Sequence, residues 1–179
     1  MLTLSKKLIS IIIPAYNEQD CVHELGVRLQ AVFESEPKYN FEVFIIENGS
    51  TDETWPRLKE SANEDSRFKL IKLSRNFRKD GGITAGLDYV SGDALVLMTA
   101  DLQDPPELIP TFLRKWEEGY ENIFGIVTKR EGTGPIRTIN SKMFYWLAGK
   151  LTDGRIPRNA SDFSLVDRKV YEAVKSMTE

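Results

Sequence analysis

A chain of 179 residues can fold as one domain with a sizeable core, and 41% hydrophobic with 28% charged residues is an ordinary globular balance. The net charge of −3 carries no footprint of a nucleic-acid binder. One cysteine, Cys21, and one histidine, His23, exclude an internal disulfide and leave no basis for a Cys/His zinc site. A single cysteine fits a reducing, cytosolic setting.

Taken in chain order, short apolar runs alternate with longer amphipathic stretches. Leu8–Ile13 reads as a buried strand; with Pro14 and Ala15 it is too short to cross a bilayer. Glu18–Glu34 reads as a helix, because Val22, Leu25, Leu29, Val32 and Phe33 recur at helical spacing. Phe41–Ile46 is a second strand and Asp52–Asp65 a second helix, opened by the turn Asn48-Gly49-Ser50. Phe68–Leu73 is a third strand, Asp80–Val90 a short helix, and Ala94–Ala100 a fourth strand. Pro106–Glu118 is a helix with proline in its first turn, and Asn122–Val127 a further strand. Lys129–Pro135 reads as a loop, Ile139–Leu151 as an aromatic amphipathic helix, Thr152–Asp162 as a loop, and a last helix starts near Asp167. This alternation predicts an α/β fold with a doubly wound, mostly parallel, Rossmann-like sheet and helices on both faces.

In such sheets ligands bind beyond the carboxyl ends of the strands. Four strand ends carry polar clusters there: Tyr16-Asn17-Glu18, Glu47-Asn48-Gly49-Ser50, Ser74-Arg75-Asn76 and Asp101-Leu102-Gln103-Asp104. Asp101 and Gln103 offer the spaced oxygens that Mg²⁺ or Mn²⁺ prefers, ahead of the bend at Pro105-Pro106. The plain structural alternative makes Asp104 the N-cap of the following helix. Asp52 can cap its own helix, and Gly49 permits the turn before it. Arg75, Arg78 and Lys79, with Gly81-Gly82 before a helix, suit a diphosphate, or form a solvated basic turn. No Gly-x-Gly-x-x-Gly or Walker A sequence is present. Arg130, Arg137, Lys142, Arg155 and Arg158 interleave with Phe144, Tyr145 and Trp146. That segment could meet an anionic membrane surface or a phosphate acceptor, or pack on the sheet with its charges outward.

These stretches together resemble family 2 glycosyltransferases of the GT-A fold, in the branch that acts on polyprenyl phosphates. The matching segments are Ile11–Glu18, Glu47–Asp52, Ser74–Phe77, Gly82–Leu87, Ala100–Glu107 and Arg158–Phe163. They occur in family order across nearly the whole chain, and the ordered set is far more specific than any one member.

The resemblance implies one catalytic domain over 1–179, with a nucleotide-sugar-binding part at 1–128 and an acceptor-side part at 129–179. It implies inverting transfer from a UDP-sugar or GDP-sugar to an undecaprenyl or dolichyl phosphate, with Mg²⁺ or Mn²⁺ as cofactor. Pro14, Ala15, Tyr16 and Glu18 would line the nucleotide pocket. Glu47, Asn48 and Asp52 would meet base and ribose, and Asn76, Lys79, Thr99 and Ala100 would complete the donor site. Asp101 and Gln103 would hold the metal, Arg130, Arg137 and Arg158 would receive the acceptor phosphate, and Asp162 would lie near the sugar. As partners it implies the cytoplasmic side of a membrane, allows a homo-oligomer and gives no role to nucleic acid. The family pattern continues past Glu179, so it also implies a piece of a longer protein.

Three positions depart from the pattern. Thr99 stands where the first acid of Asp-Ala-Asp is usual, Ser164 where an arginine is common, and Glu47-Asn48 where Asp-Asp is common. Two other readings stay open: a family 2 transferase acting on a glycan acceptor, and a catalytically silent domain that keeps the nucleotide pocket.

Overall fold

The structure is a computed structural model and describes residues 5–126 and 160–177. Contacts divide the chain into two compact units, Met1–Ile123 with Phe163–Glu179, and Phe124–Asp162. Arg130, Arg137 and Arg158, the helix expected at Ile139–Leu151 and the loops around it lie outside the described residues.

Four β-rich, Ile/Val-dense segments form the parallel heart of the sheet, as sequence periodicity predicts. They are β1 (Lys7–Ala15), β2 (Tyr39–Glu47), β3 (Phe68–Lys72) and β4 (Ala94–Leu97). β5 (Asn122–Ile126) and β6 (Ala160–Asp167) complete a six-stranded sheet of order β3-β2-β1-β4-β6-β5. β1 runs parallel to β2 and β4, β2 parallel to β3, and β6 antiparallel to β4. The sheet is therefore mostly parallel with one reversed strand.

Side chains alternate along each strand, so β1 feeds two cores. Ile9, Ile11 and Ile13 face α1 (Val22–Ser35) and α4 (Ile109–Glu117), packing with Leu25, Leu29, Phe112 and Leu113. Ile12 faces the other way, with Phe44, Ile46, Leu95 and Tyr171 of α5 (Arg168–Lys175). α3 (Arg78–Leu87) covers that second face at close range: a Cβ on Gly86 would lie 2.9 Å from Ile12 Cγ2. α2 (Thr54–Glu64) buries Thr54 and Leu58.

Two sequence expectations need correction. Thr152–Asp162 was expected to be loop throughout, but strand β6 already begins at Ala160. Phe163 and Leu165 alternate with Asp162 and Ser164, a two-residue period too brief to stand out beside the helix that follows. The first helix starts at Val22 rather than Glu18, because Glu18–Cys21 form a separate turn in which Cys21 and Val22 N–H donate to the Glu18 carbonyl. The last helix starts near Asp167 as expected, and Asp167 caps it, accepting from Lys169 N–H at 3.0 Å.

Candidate functional site

The chain winds outward from β1 to β3 and then crosses back to β4 on the other side of β1. That reversal opens a crevice between the carboxyl ends of β1 and β4, where open α/β sheets take their ligands. Tyr16-Asn17-Glu18 leave β1 there, and Thr99-Ala100-Asp101 follow β4.

Asp101 sits on a tightly tied turn. Its Oδ1 accepts from Thr99 Oγ1 at 2.7 Å and from Gln103 N–H at 3.2 Å. Among the described residues no donor reaches Oδ2. Leu102, between Asp101 and Gln103, takes a left-handed conformation, φ 59°, and bends the chain there. Gln103 is exposed and Ala100 buried. Asp104 does not cap the following helix. Its Oδ2 turns back to Thr99, accepting from N–H at 3.0 Å and lying 2.8 Å from Oγ1. Pro105 stands at the N-cap of the short turn Pro106–Leu108 without a side-chain cap.

Facing this turn, the β1 end is fastened to the β2 end. Asn17, φ 55°, accepts from Thr51 N–H at 2.9 Å, and its own N–H donates to Ser50 Oγ at 3.0 Å. Glu18 N–H donates to Thr54 Oγ1 at 2.8 Å, and that hydroxyl donates to Asp52 Oδ1 at 2.6 Å. Asp52 also accepts from Thr54 N–H and Gln19 N–H. Partial burial pushes its carboxyl up, but these donors outweigh burial and hold it below the ordinary range. Glu18 goes the other way. Burial raises it first, then the negative charge of Asp101, and then that of Asp52, against a Cys21 hydrogen bond that lowers it. Three carboxylates therefore share one electrostatic field at this crevice. Cys21, beside Glu18, is pushed up by burial and by that same charge, which makes its thiol a poor nucleophile.

The β2 end is built inward. Glu47 is fully buried: Oε1 accepts from Ser50 N–H, while Oε2 has no hydrogen-bond partner among the described residues and lies 4.0 Å from Lys72 Nζ. The Asn48 amide fixes the next loop, accepting from Phe77 N–H and donating to the Arg78 carbonyl, both at 2.8 Å. Asn76 accepts from Arg78 N–H at 2.7 Å, which supports the left-handed Arg78 at φ 65°. Lys79 is half-buried in the first turn of α3, Pro14 half-buried, Ala15 buried and Tyr16 exposed. Asp162 is an exposed residue of β6 and belongs to the second unit.

The structure thus brings Glu18, Asp52, Thr99 and Asp101 to one crevice, and commits Asn48 and Asn76 to loop geometry. Sequence reasoning missed Thr54, whose buried hydroxyl joins the two strand ends. It also missed Arg28, which grips Glu107 with two hydrogen bonds of 2.7 and 2.5 Å just past Pro106. The Asp-x-Thr spacing of Asp52 and Thr54 was the available signal for the first; nothing local signals a partner 79 residues away.

Comparison with known proteins agrees with this geometry. The uncharacterized glycosyltransferase YkcC of Bacillus subtilis (strain 168) is 43% identical over 170 residues, 95% of this chain and 52% of the relative. The bactoprenol glucosyl transferase of Shigella phage SfV is 32% identical over 171 residues, 96% of this chain and 55% of the relative. The chain thus spans about half the length of the curated relatives it matches. Glucosyl-3-phosphoglycerate synthase from Mycobacterium tuberculosis, solved with Mn²⁺, UDP and glucosyl-3-phosphoglycerate, superposes with a TM-score of 0.68 at 18% identity, covering 92% of this chain and 58% of that one. At that identity the likeness shows the shared fold, here GT-A. The glycosyl transferase family 2 profile matches residues 10–175, nearly the full length, and the chain belongs to that family.

Proposed function

We propose that this chain is the donor-binding, catalytic part of an inverting glycosyltransferase that moves a sugar from a UDP- or GDP-sugar to a polyprenyl phosphate at the cytoplasmic face of a membrane. One observation carries the donor site. Asp101 stands at the topological switch point with one carboxylate oxygen tied and, among the described residues, no donor on the other, and after burial its negative charge raises the neighbouring Glu18 carboxyl. Repulsion of this kind is relieved by a divalent cation.

The residues fit Mg²⁺ or Mn²⁺. The donors at the crevice are carboxylate, hydroxyl and amide oxygens, the set that hard cations prefer. No group of three or more His, Cys, Asp or Glu among the described residues could hold a metal unaided. Asp101 and Gln103 would hold the ion together with diphosphate oxygens and water. When bound, it would supply charge neutralisation at the departing nucleoside diphosphate.

The chain's own residues do the rest. The Asn17–Ser50–Thr51 and Glu18–Thr54–Asp52 hydrogen bonds fix the two loops that would flank the nucleotide. Preorganised loops bind without the entropy cost of ordering. Arg78 and Lys79 in the first turn of α3 place two cations at a helix start, a setting suited to phosphate. A phosphate acceptor is already ionised at neutral pH and needs no general base, so Asp162 serves to orient sugar or acceptor. Arg130, Arg137 and Arg158 remain the candidates for the acceptor phosphate. The name of the phage relative supports a lipid-phosphate acceptor. Among the described residues no helix is long and apolar enough to cross a membrane.

The test is transfer of labelled sugar from UDP-glucose, UDP-N-acetylglucosamine or GDP-mannose to a polyprenyl phosphate in detergent micelles with Mn²⁺. Label should pass to the organic phase for one donor. Label that stays aqueous because the sugar has passed to an added glycan, with free nucleoside diphosphate released, would move the assignment to a glycan acceptor. Asp162→Asn should keep turnover within about threefold of wild type; a loss of about 100-fold or more would make Asp162 a general base.

A further inference from the structure

We infer that Thr99 is a positioning residue of the cation site: its hydroxyl, standing where a second carboxylate is expected, turns Asp101 so that a single oxygen faces the ion. The inference rests on the donor-site reading above and deepens it.

Thr99 meets both acids of the turn. Its Oγ1 lies 2.7 Å from Asp101 Oδ1 and 2.8 Å from Asp104 Oδ2. A hydroxyl has one proton and serves one acceptor at a time. Asp104 Oδ2 already accepts from Thr99 N–H at 3.0 Å, so the hydroxyl proton can go to Asp101 without stripping Asp104 of its contact with this residue. Gln103 N–H, at 3.2 Å, holds the same Oδ1 from the other side. Two donors hold this one oxygen, and among the described residues none reaches Oδ2.

The rest of the turn is immobilised around this contact. Asp104 is 8% exposed, Leu102 is left-handed, and Arg28 of α1 clamps Glu107 with two hydrogen bonds. The backbone of the turn is held independently of Thr99, so the direction of the Asp101 carboxylate is left to its two donors, the Thr99 hydroxyl and the Gln103 N–H. A carboxylate at position 99 would be acceptor-only and would face two acids already in hydrogen-bond range of that side chain. The turn is built for a donor there. One consequence is that the ion is held chiefly through the nucleotide: with one open carboxylate oxygen the protein binds free Mn²⁺ weakly, and the diphosphate completes the site. Metal and nucleotide then bind with positive coupling, each raising the affinity for the other by the same factor.

The experiment is calorimetric titration of wild type and the variants Thr99→Val, Thr99→Ser and Thr99→Asp with Mn²⁺ alone, with UDP and GDP in EDTA, and with each nucleotide plus Mn²⁺. Circular dichroism melts of each variant check folding. The wild type should bind Mn²⁺ measurably only with nucleotide present. Thr99→Val should lose about tenfold in Mn²⁺-dependent affinity, since a hydrogen bond to a charged group is gone, and keep its EDTA affinity within about twofold. Thr99→Ser should recover the wild-type value. Thr99→Asp should lower the melting temperature in EDTA and bind free Mn²⁺ more tightly than wild type. Equal Mn²⁺-dependent affinities for wild type and Thr99→Val overturn the inference, as do parallel losses with and without metal, which mark a merely structural residue. A wild type that binds no nucleotide in any condition overturns the donor site itself, a result distinct from either of these.

Discussion

Thr54 shows how much a single hydroxyl can organise. It is fully buried, donates to Asp52, and accepts the Glu18 N–H from the β1 end. Replacing it with valine keeps the shape and leaves a half-buried N–H and a carboxylate oxygen short of a donor. Such losses cost about 1–3 kcal/mol each. Thr54→Val should lower the urea midpoint accordingly, with Thr54→Ser close to wild type; an unchanged midpoint would mean that water takes the place of the hydroxyl. Glu18 gives the opposite sign. Its carboxyl is raised by burial and by Asp101, so its charged form is disfavoured in the folded state, and the stability it lends at low pH is lost as pH rises through the raised value. Glu18→Gln should therefore raise the melting temperature at neutral pH in EDTA, and millimolar Mn²⁺ together with UDP or GDP should stabilise the variant less than the wild type. A lower melting temperature in EDTA would contradict the shared negative field. Asp101 and Glu18 could be singled out from sequence because their residue types sit at strand ends. The use made of Asn48, Asn76 and Asp104 could not. Each bonds to backbone or hydroxyl partners whose position depends on the finished loop, and a polar side chain reads the same whether it faces ligand or loop.

Among the elements, the turn after β2 is the most constrained. Gly49 has φ +74°, and a Cβ there would lie 2.7 Å from the Arg75 backbone. The β2 and β3 loops touch through this point, and the Asn48 amide ties the same loop one residue earlier. Gly49→Ala should destabilise the fold by about 1–3 kcal/mol and weaken nucleotide binding more than a distant substitution of equal cost. Denaturant melts and nucleotide titrations on the same preparation separate the two effects. Strands β1 to β4 were legible because each holds an apolar run bounded by turn residues. Helices α1, α2 and α4 were legible from helical spacing, with ends misplaced by a few residues where Glu18–Cys21 and Pro106–Leu108 form separate turns. β6 was not legible, since its pairing with β4 joins residues about 70 apart in sequence and only Phe163 and Leu165 mark its inward face.

At the scale of the molecule, the end of the sheet opposite the crevice is closed by ion pairs, and these set the acid response. Glu117 accepts from Lys38 at 2.5 Å, Tyr39 at 2.6 Å and Arg114 at 3.2 Å. The Lys38 and Tyr39 hydrogen bonds, in that order, hold its carboxyl at about 2. Burial and the same carboxylate push the Tyr39 phenol up, so it stays a donor throughout the neutral range. A depressed carboxylate stabilises the fold above its ordinary value of 4.5 and loses that contribution as pH falls towards about 2. Asp65 adds to the same limb through its Arg67 pairing. Glu117→Gln should flatten the fall in melting temperature across that window and leave donor binding intact, because the crevice lies at the other end of the strands. An acid limb identical to wild type would show that the exposed pair contributes nothing measurable.

The central claim is that Asp101 binds a nucleoside diphosphate through a divalent cation. Calorimetric titration of wild type and Asp101→Asn with UDP and GDP, each with Mn²⁺ and with EDTA, tests it most directly. Wild type should bind one of the two nucleotides at least tenfold tighter with Mn²⁺ than in EDTA, and Asp101→Asn should bind equally in both. Wild-type binding that ignores Mn²⁺, or an Asp101→Asn variant that keeps the full Mn²⁺ effect, would contradict the account.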